Sequence, residues 1–418
     1  MLQWNELHPY NAVHVVRLPA ALELDRLKAT ISTTLEAHGL TGLELDRTSG
    51  EYQYHGGAAT LELKVGSLRG GRPELIHEIT AQLNTPFPNE PVFSPFRFFV
   101  IRETESLALG LVYFHALADA ESIVRLLKDV VAAYLGRKKV AVAKPFEVHP
   151  SSGSRSRHPT VLARKLARLP SLVRALRKTC RPIYRNASDL RNQFDLFTVD
   201  AETLGGMSEA AGTLGITLND LFLARLMYAL AGLDPERSRA RRRPGITVGC
   251  VVNTRKDLGL HDGRRFGVYL GHFIVHHSMP PGITFRTLAK DIGRQTSAIK
   301  RARLYLGAGL EISLGGFLMS LFSPERRRKL YQKHYPLWGG LSNMDLNPLW
   351  LVKETPRPIQ YFRAVSTGPV TPLVLSITTM GSEASFGLAY RPTVFSPGDI
   401  QRIRDCFLDS VSHPVANL

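Results

Sequence analysis

Apolar residues recur along this chain at two spacings, one helical and one strand-like. Residues 22–38 carry them at helical intervals and predict an amphipathic helix. Residues 52–65 alternate and predict a strand, and residues 74–83 predict a short helix. Pro86, Pro88, Pro91 and Pro95 mark a loop, after which residues 96–101 predict a strand. A hairpin-like break at 103–106 leads into the apolar run 109–114, a second strand. Directly behind it Ile123, Val124, Leu126, Leu127, Val130, Val131 and Tyr134 fall at helical spacing.

From 149 to 191 the pattern changes. Ser151, Ser152, Gly153 and Ser154 read as a linker. Arg155, Arg157, Arg164, Lys165, Arg168, Arg174, Arg177, Lys178, Arg181, Arg185 and Arg191 then stand against a single acid, Asp189. Leu162, Leu166, Leu169, Val173 and Leu176 fall on one narrow helical stripe, which Pro170 is expected to kink or divide. Two readings fit this segment. It lies on an anionic surface, lipid or carrier protein, or its stripe packs on the body and its charges are merely solvated.

The second half resumes the mixed pattern. Residues 201–212 and 219–232 predict helices, the second apolar on most faces and therefore buried. Residues 246–252 and 266–277 predict strands, and 285–305 a helix rich in Arg and Lys. Residues 373–379 and 385–390 predict paired strands around Gly381, and a helix runs from 396 to about 411. This order predicts an α/β fold of α+β layers rather than a doubly wound sheet. The expected division is an N-terminal lobe over 1–150, a basic amphipathic linker over 151–192 and a C-terminal lobe over 193–418.

At 418 residues the chain is too long for one compact core, which agrees with two lobes. Its 44% hydrophobic and 21% charged content is that of a globular protein, not a disordered one. No apolar stretch approaches the roughly 20 residues that cross a bilayer, and the N-terminus lacks a basic segment followed by an apolar one, so no secretory signal is expected. Cys180, Cys250 and Cys406 are far apart and form no CxxC pair. Neither a disulfide framework nor a metal site is expected, and a reducing cytoplasm is the simplest compartment. The formal net charge of +17 calls for an anionic partner. Nucleic acid is a poor fit, because no zinc, RRM or helix-turn-helix pattern accompanies the charge. The basic run Arg237, Arg239, Arg241, Arg242 and Arg243 is either solvated or a dock for a phosphate or an acidic carrier protein.

The strongest chemical signal is Phe114-His115-Ala116-Leu117-Ala118-Asp119-Ala120. It places an imidazole at a strand end and a carboxylate four residues on, where the next helix begins. Histidine is the side chain best matched to proton transfer near neutral pH, so His115 is the candidate general base. His276-His277-Ser278-Met279-Pro280-Pro281 mimics the spacing but has Pro281 in place of the acid, and reads as a strand end. Asn219 and Asp220 read as a helix N-cap.

These blocks together resemble the CoA-dependent acyltransferase superfamily, which includes chloramphenicol acetyltransferase, peptide-synthetase condensation domains, wax ester synthases and polyketide-associated acyltransferases. The family signature His-His-x-x-x-Asp-Gly stands here with Phe114 for the first His and Ala120 for the Gly. Thr217-Leu218-Asn219-Asp220 is similar to the Asn-Asp motif of wax ester synthases. Val251-Val252-Asn253-Thr254-Arg255 is similar to the Val-Asn-x-Arg strand. Arg265-Phe266-Gly267-Val268-Tyr269 resembles the Phe-Gly-Asn-Tyr segment, with Val268 where Asn is usual, and Leu341-Ser342-Asn343-Met344 resembles the Ser-Asn strand.

The resemblance implies two lobes in a V, with a tunnel between them and His115 at its centre. It implies acyl transfer from a thioester, acyl-CoA or acyl-phosphopantetheine on a carrier protein, to an alcohol or amine acceptor, with no permanently bound cofactor. A hydroxyl of a lipid-like or secondary-metabolite acceptor is the expected target. Condensation-type amide formation and an inactive binding scaffold are the alternatives. Asp119 is then expected to turn from the imidazole and pair with Arg255. Asn253, Ser342, Asn343, Asn219 and Asp220 are candidates to contact substrate or its oxyanion. A monomer is expected, with peripheral contact at the inner membrane face through 155–191.

Overall fold

The computed structural model describes residues 1–66, 71–103, 105–136, 145–148, 159–234, 242–261, 263–307, 319, 321–350 and 358–408. The expected linker at 151–154, Arg155, Arg157, Arg237, Arg239, Arg241, position 104 of the expected hairpin break and the tail of the last expected helix lie outside these residues.

Two sheets organise the chain. The first has strand order Gln360–Val365, Asn11–Leu18, Leu107–Phe114, Phe96–Arg102, Leu63–Gly66. The second has order Leu270–His277, Ile246–Asn253, Gly339–Asp345, Leu373–Met380, Glu383–Tyr390, Gln193–Val199. Helices Leu24–Ala37 and Ala120–Tyr134 cover one face of the first sheet, and Gly71–Asn84 the other. The fully buried side chains Ile123, Leu126, Leu127, Val130 and Val131 are the stripe read from the sequence. Helices Ala201–Leu214, Leu218–Leu233, Phe285–Arg301 and Pro397–Leu408 pack on the second sheet. No single described helix is long and apolar enough to cross a bilayer.

The halves of the chain interlock. Gln360–Val365, late in sequence, pairs antiparallel with Asn11–Leu18 and completes the first sheet. Arg265–Phe266 pairs with Glu147–Val148, reaching from the second half to the first. Arg264 and Arg265 both bridge to Glu147, at 2.6 and 2.9 Å.

Local departures from the expected elements have physical causes. The alternation at 52–65 is not one strand. Tyr52–Tyr54 pairs in a small sheet with Leu43–Leu45, and Leu63–Gly66 pairs with Phe96–Arg102 in the main one. Positive-φ glycines at Gly56 and Gly57 turn the chain between them. The strand expected at 266–277 is broken after Phe266, because Gly267, at φ 151°, turns its carbonyl toward Asp119. The helix expected at 285–305 ends at Arg301 and gives way to a 3-10 turn, Leu304–Gly307. Pro170 neither ends nor divides its helix, which runs Pro159–Lys178. Pro170 is solvent-exposed, as is Leu166, the residue whose carbonyl the ring leaves without an intrahelical donor, so that carbonyl is not stranded in a core.

Candidate active site

Strand Leu107–Phe114 is the central strand of the first sheet and delivers His115 at its end. Asp119 caps helix Ala120–Tyr134 by accepting from the Ser122 amide at 3.0 Å. The chain between them makes one tight turn, in which the Leu117 amide donates to the Phe114 carbonyl. Ala120 is the first helical residue, a position where a Cβ is at no disadvantage. Phe114 points to the opposite face of the sheet and packs against Phe87 and Phe93. It is core, and takes no part in the site.

The His115 imidazole is 7% exposed. Tyr10 stacks on it at 5.3 Å and Tyr113 meets it edge-on at 5.6 Å. Nδ1 lies 3.0 Å from the Ala118 carbonyl. A carbonyl only accepts, so Nδ1 carries the proton and Nε2 the lone pair. Nε2 has no hydrogen-bond partner among the described residues. Burial lowers the imidazole pKa, while the Ala118 carbonyl and the Asp119 charge pull the other way. The net result is a neutral ring at pH 7 with one nitrogen ready to accept a proton.

Asp119 is spent on structure. Its Oδ1 accepts from the Ser122 amide and from Arg255 Nη2, both at 3.0 Å; its Oδ2 accepts from Arg255 Nη1 at 2.6 Å and from the Tyr269 amide at 2.9 Å. The carboxylate is fully buried and Arg255 nearly so. Arg255 also donates to Ser122 Oγ at 2.8 Å and lies over the Tyr269 ring. Ser122 Oγ in turn bonds both backbone groups of Gly267. The break at Gly267 thus ties the second half of the chain to the loop that carries His115. Nothing in the sequence distinguished Ser122 from any other residue in the first turn of a helix.

The remaining candidates fall into separate places. Asn253 is exposed; its Nδ2 donates to Glu121 and its Oδ1 receives the Arg255 amide at 2.9 Å. It belongs to the same latch. Asn219 and Asp220 do not form the cap themselves: Thr217 is the N-cap, and Asp220 closes a capping box from the third helical position while accepting from Thr296 Oγ1 at 2.7 Å. Asn219 reaches Cys250 Sγ at 3.9 Å. Alternation along Gly339–Asp345 separates Ser342 from Asn343, and Asn343 is exposed.

Ser342 meets a group the sequence reading passed over. Arg363, 1% exposed on strand Gln360–Val365, donates to Ser342 Oγ and Ser342 O at 3.1 Å, Thr378 Oγ1 at 2.9 Å and the Ile377 carbonyl at 2.6 Å. Burial pulls its pKa down to about 10. Beside it His14 Nδ1 lies 2.7 Å from Tyr361 Oη, and the Tyr113 hydroxyl lies 3.4 Å from His14 Nε2. His14 is held well below its ordinary range by burial, with the Arg363 charge adding to the effect. A signal existed: His14 stands within the apolar run 12–16 and Arg363 within 361–365, and buried polar groups of that kind are rare without a purpose.

Two surface cavities, of about 820 and 580 Å³, are lined by other residues. His276 and His277, the look-alike pair, border the smaller one at the end of strand Leu270–His277.

No protein-family profile matches the chain, and no curated protein matches it in sequence. Solved structures do match in fold. The condensation domain of the Monacolin K polyketide synthase MokA is 11% identical, with a TM-score of 0.67 over 100% of this chain and 96% of that one. The first condensation domain of the CDA synthetase is 14% identical, with a TM-score of 0.64 over 99% and 94%. Polyketide synthase associated protein 5 from Mycobacterium tuberculosis is 13% identical, with a TM-score of 0.63 over 99% and 97%. Over its whole length the chain therefore has the fold of condensation domains, two chloramphenicol-acetyltransferase-like lobes in a V.

Proposed function

We propose that this chain, built on the condensation-domain fold, transfers an acyl group from a CoA or carrier-protein thioester to a hydroxyl acceptor, with His115 as general base. The observation that carries the reading is the imidazole itself: neutral, fixed in one tautomer by the Ala118 carbonyl, and unpartnered at Nε2. His115 Nε2 takes the acceptor proton as the oxygen attacks the thioester carbonyl. The proton then passes to the departing thiolate, whose ordinary pKa of about 8.5 makes it a good leaving group. No nucleophilic side chain is needed. Burial disfavours the imidazolium formed between the two transfers, and the Nδ1 bond to Ala118 offsets part of that cost by strengthening when the ring is charged.

In this scheme Ser342 is the proposed oxyanion donor. Its Oγ already accepts from Arg363, so its own proton is free to point elsewhere. A carrier-bound phosphopantetheine and an acidic carrier protein suit the basic surface as well as CoA does. A second reading, amide formation, is favoured by the end-to-end likeness to condensation domains.

The test is thiol release from acyl-CoA and acyl-carrier thioesters with mixed alcohol and amine acceptors, comparing wild type with His115→Ala. Acyl-ester products that disappear in the variant support the first reading, and amides the second. Equal thiol release by both proteins removes His115 from the mechanism.

A further inference from the structure

Helix Pro159–Lys178 carries Arg164, Lys165, Arg168, Arg174, Arg177 and Lys178 and no acid. On a helical projection its buried and half-buried positions, Val161, Lys165, Leu172, Ala175 and Leu176, form one side. That side faces the body and touches the 3-10 turn Leu304–Gly307. Leu166, Leu169 and Val173 lie about a quarter-turn away, as a ridge about 10 Å long. They are not packed: Leu166 is 60% exposed, Leu169 51% and Val173 39%. Leu176, at one end of the apolar stripe, thus belongs to the docked side, while Leu166, Leu169 and Val173 of the same stripe stand clear of it. These three residues do not anchor the helix to the protein.

We infer that this ridge is a docking surface for an anionic phospholipid bilayer. Large aliphatic side chains exposed in a row, flanked by cations on a helix that carries no carboxylate, match the bilayer interface; a nearby acid, Asp291, lines the cavity bordered by Arg174 and Lys178 and is paired with Arg294. The apolar ridge enters the acyl boundary and the guanidinium and ammonium groups stay among the phosphates. An acidic protein surface would satisfy the charges but leave the ridge without an apolar partner. This inference is independent of the proposed chemistry.

Flotation of the full chain with vesicles tests it. Vesicles of phosphatidylcholine doped with phosphatidylglycerol are expected to carry the protein up the gradient, and salt is expected to weaken the association. Phosphatidylcholine alone is expected to bind at least about tenfold more weakly, since each basic residue near an anionic surface adds measurably to affinity. Leu166→Ser/Leu169→Ser/Val173→Ser and, separately, Arg174→Gln/Arg177→Gln/Lys178→Gln should each lose at least about tenfold. All six side chains are at the surface, and an unchanged melting temperature verifies that each variant folds. Failure of the wild type to float with anionic vesicles overturns the inference. So does equal flotation of the ridge variant, equal binding to neutral vesicles, or capture of an acidic protein without any lipid binding.

Discussion

Burial lowers the His115 pKa, and that sets the pH range in which the proposed base is free to accept a proton. The lowered pKa means that kcat/KM rises with pH through an inflection below the ordinary histidine value of about 6.5 and is flat above it. An inflection above that value would exclude the buried imidazole as the titrating base. His115→Ala is expected to lower turnover by about 10²–10⁴ while leaving the circular dichroism spectrum unchanged. Ser342→Ala should lower kcat by about 10–10³ if its hydroxyl meets the oxyanion, with the melting temperature held. At this scale the sequence was readable for His115 and Asp119, since their spacing is local. Ser122 was not readable, because its importance comes from Arg255 and Gly267, 133 and 145 residues away.

Among the elements, the join between the lobes rests on the Asp119–Arg255 pair. Arg255→Ala leaves a fully buried carboxylate without its counter-charge and is expected to cost about 3–5 kcal/mol. Denaturant unfolding measures this, and a normal melting temperature with lost turnover would reassign the pair to catalysis. Strand Glu383–Tyr390 depends on Gly387, where an added Cβ would sit 2.1 Å from the Arg363 carbonyl, backbone of the first sheet. The Phe194 ring, at 3.1 Å, is the other neighbour, and neither it nor the carbonyl is a flexible tip. Gly387→Ala should therefore destabilise by at least about 1–3 kcal/mol and disturb the Arg363–Ser342 contact. Periodicity found most of the longer helices and several strands to within a few residues, but it missed strands Asn11–Leu18, Gln193–Val199 and Gln360–Val365. It failed where the polypeptide turns at glycine, at 56–57 and 267, because hydrophobic pattern records burial and not backbone direction. At Pro170 the helix is not divided; Pro170 and Leu166, whose carbonyl loses its intrahelical donor, are both exposed.

For the whole molecule, the exchange of strands makes each half depend on the other. Residues 1–150 expressed alone lack Gln360–Val365, so Asn11–Leu18 becomes a bare edge. The fragment is expected to aggregate, and co-expression with the remainder to restore soluble protein; a soluble, cooperatively melting fragment would refute this. Acid should weaken the assembly early. His14 is held well below its ordinary pKa by burial, and His276 is brought to about 4, chiefly by burial. Both are lowered in the folded state, so the unfolded chain binds the extra protons. Stability is full above about 6.5 and falls as pH drops below it toward the folded values. Melting temperature measured across that window checks the sign, and His14→Phe should flatten part of the fall.

What the sequence determined by itself is short-range. The four-residue step from His115 to Asp119, the strand before and the helix after it follow from local spacing and propensity. So does the cationic amphipathic helix. The tertiary structure decided everything that depends on which distant group arrives. The Ala118 carbonyl selects the free imidazole nitrogen. Arg255 draws Asp119 away into a latch, and Arg363 reaches Ser342 from a strand of the opposite sheet. The same packing turned one side of helix Pro159–Lys178 to the body and left its leucine ridge bare. Periodicity gives a helix its faces, but contact with the rest of the chain chooses which face is covered.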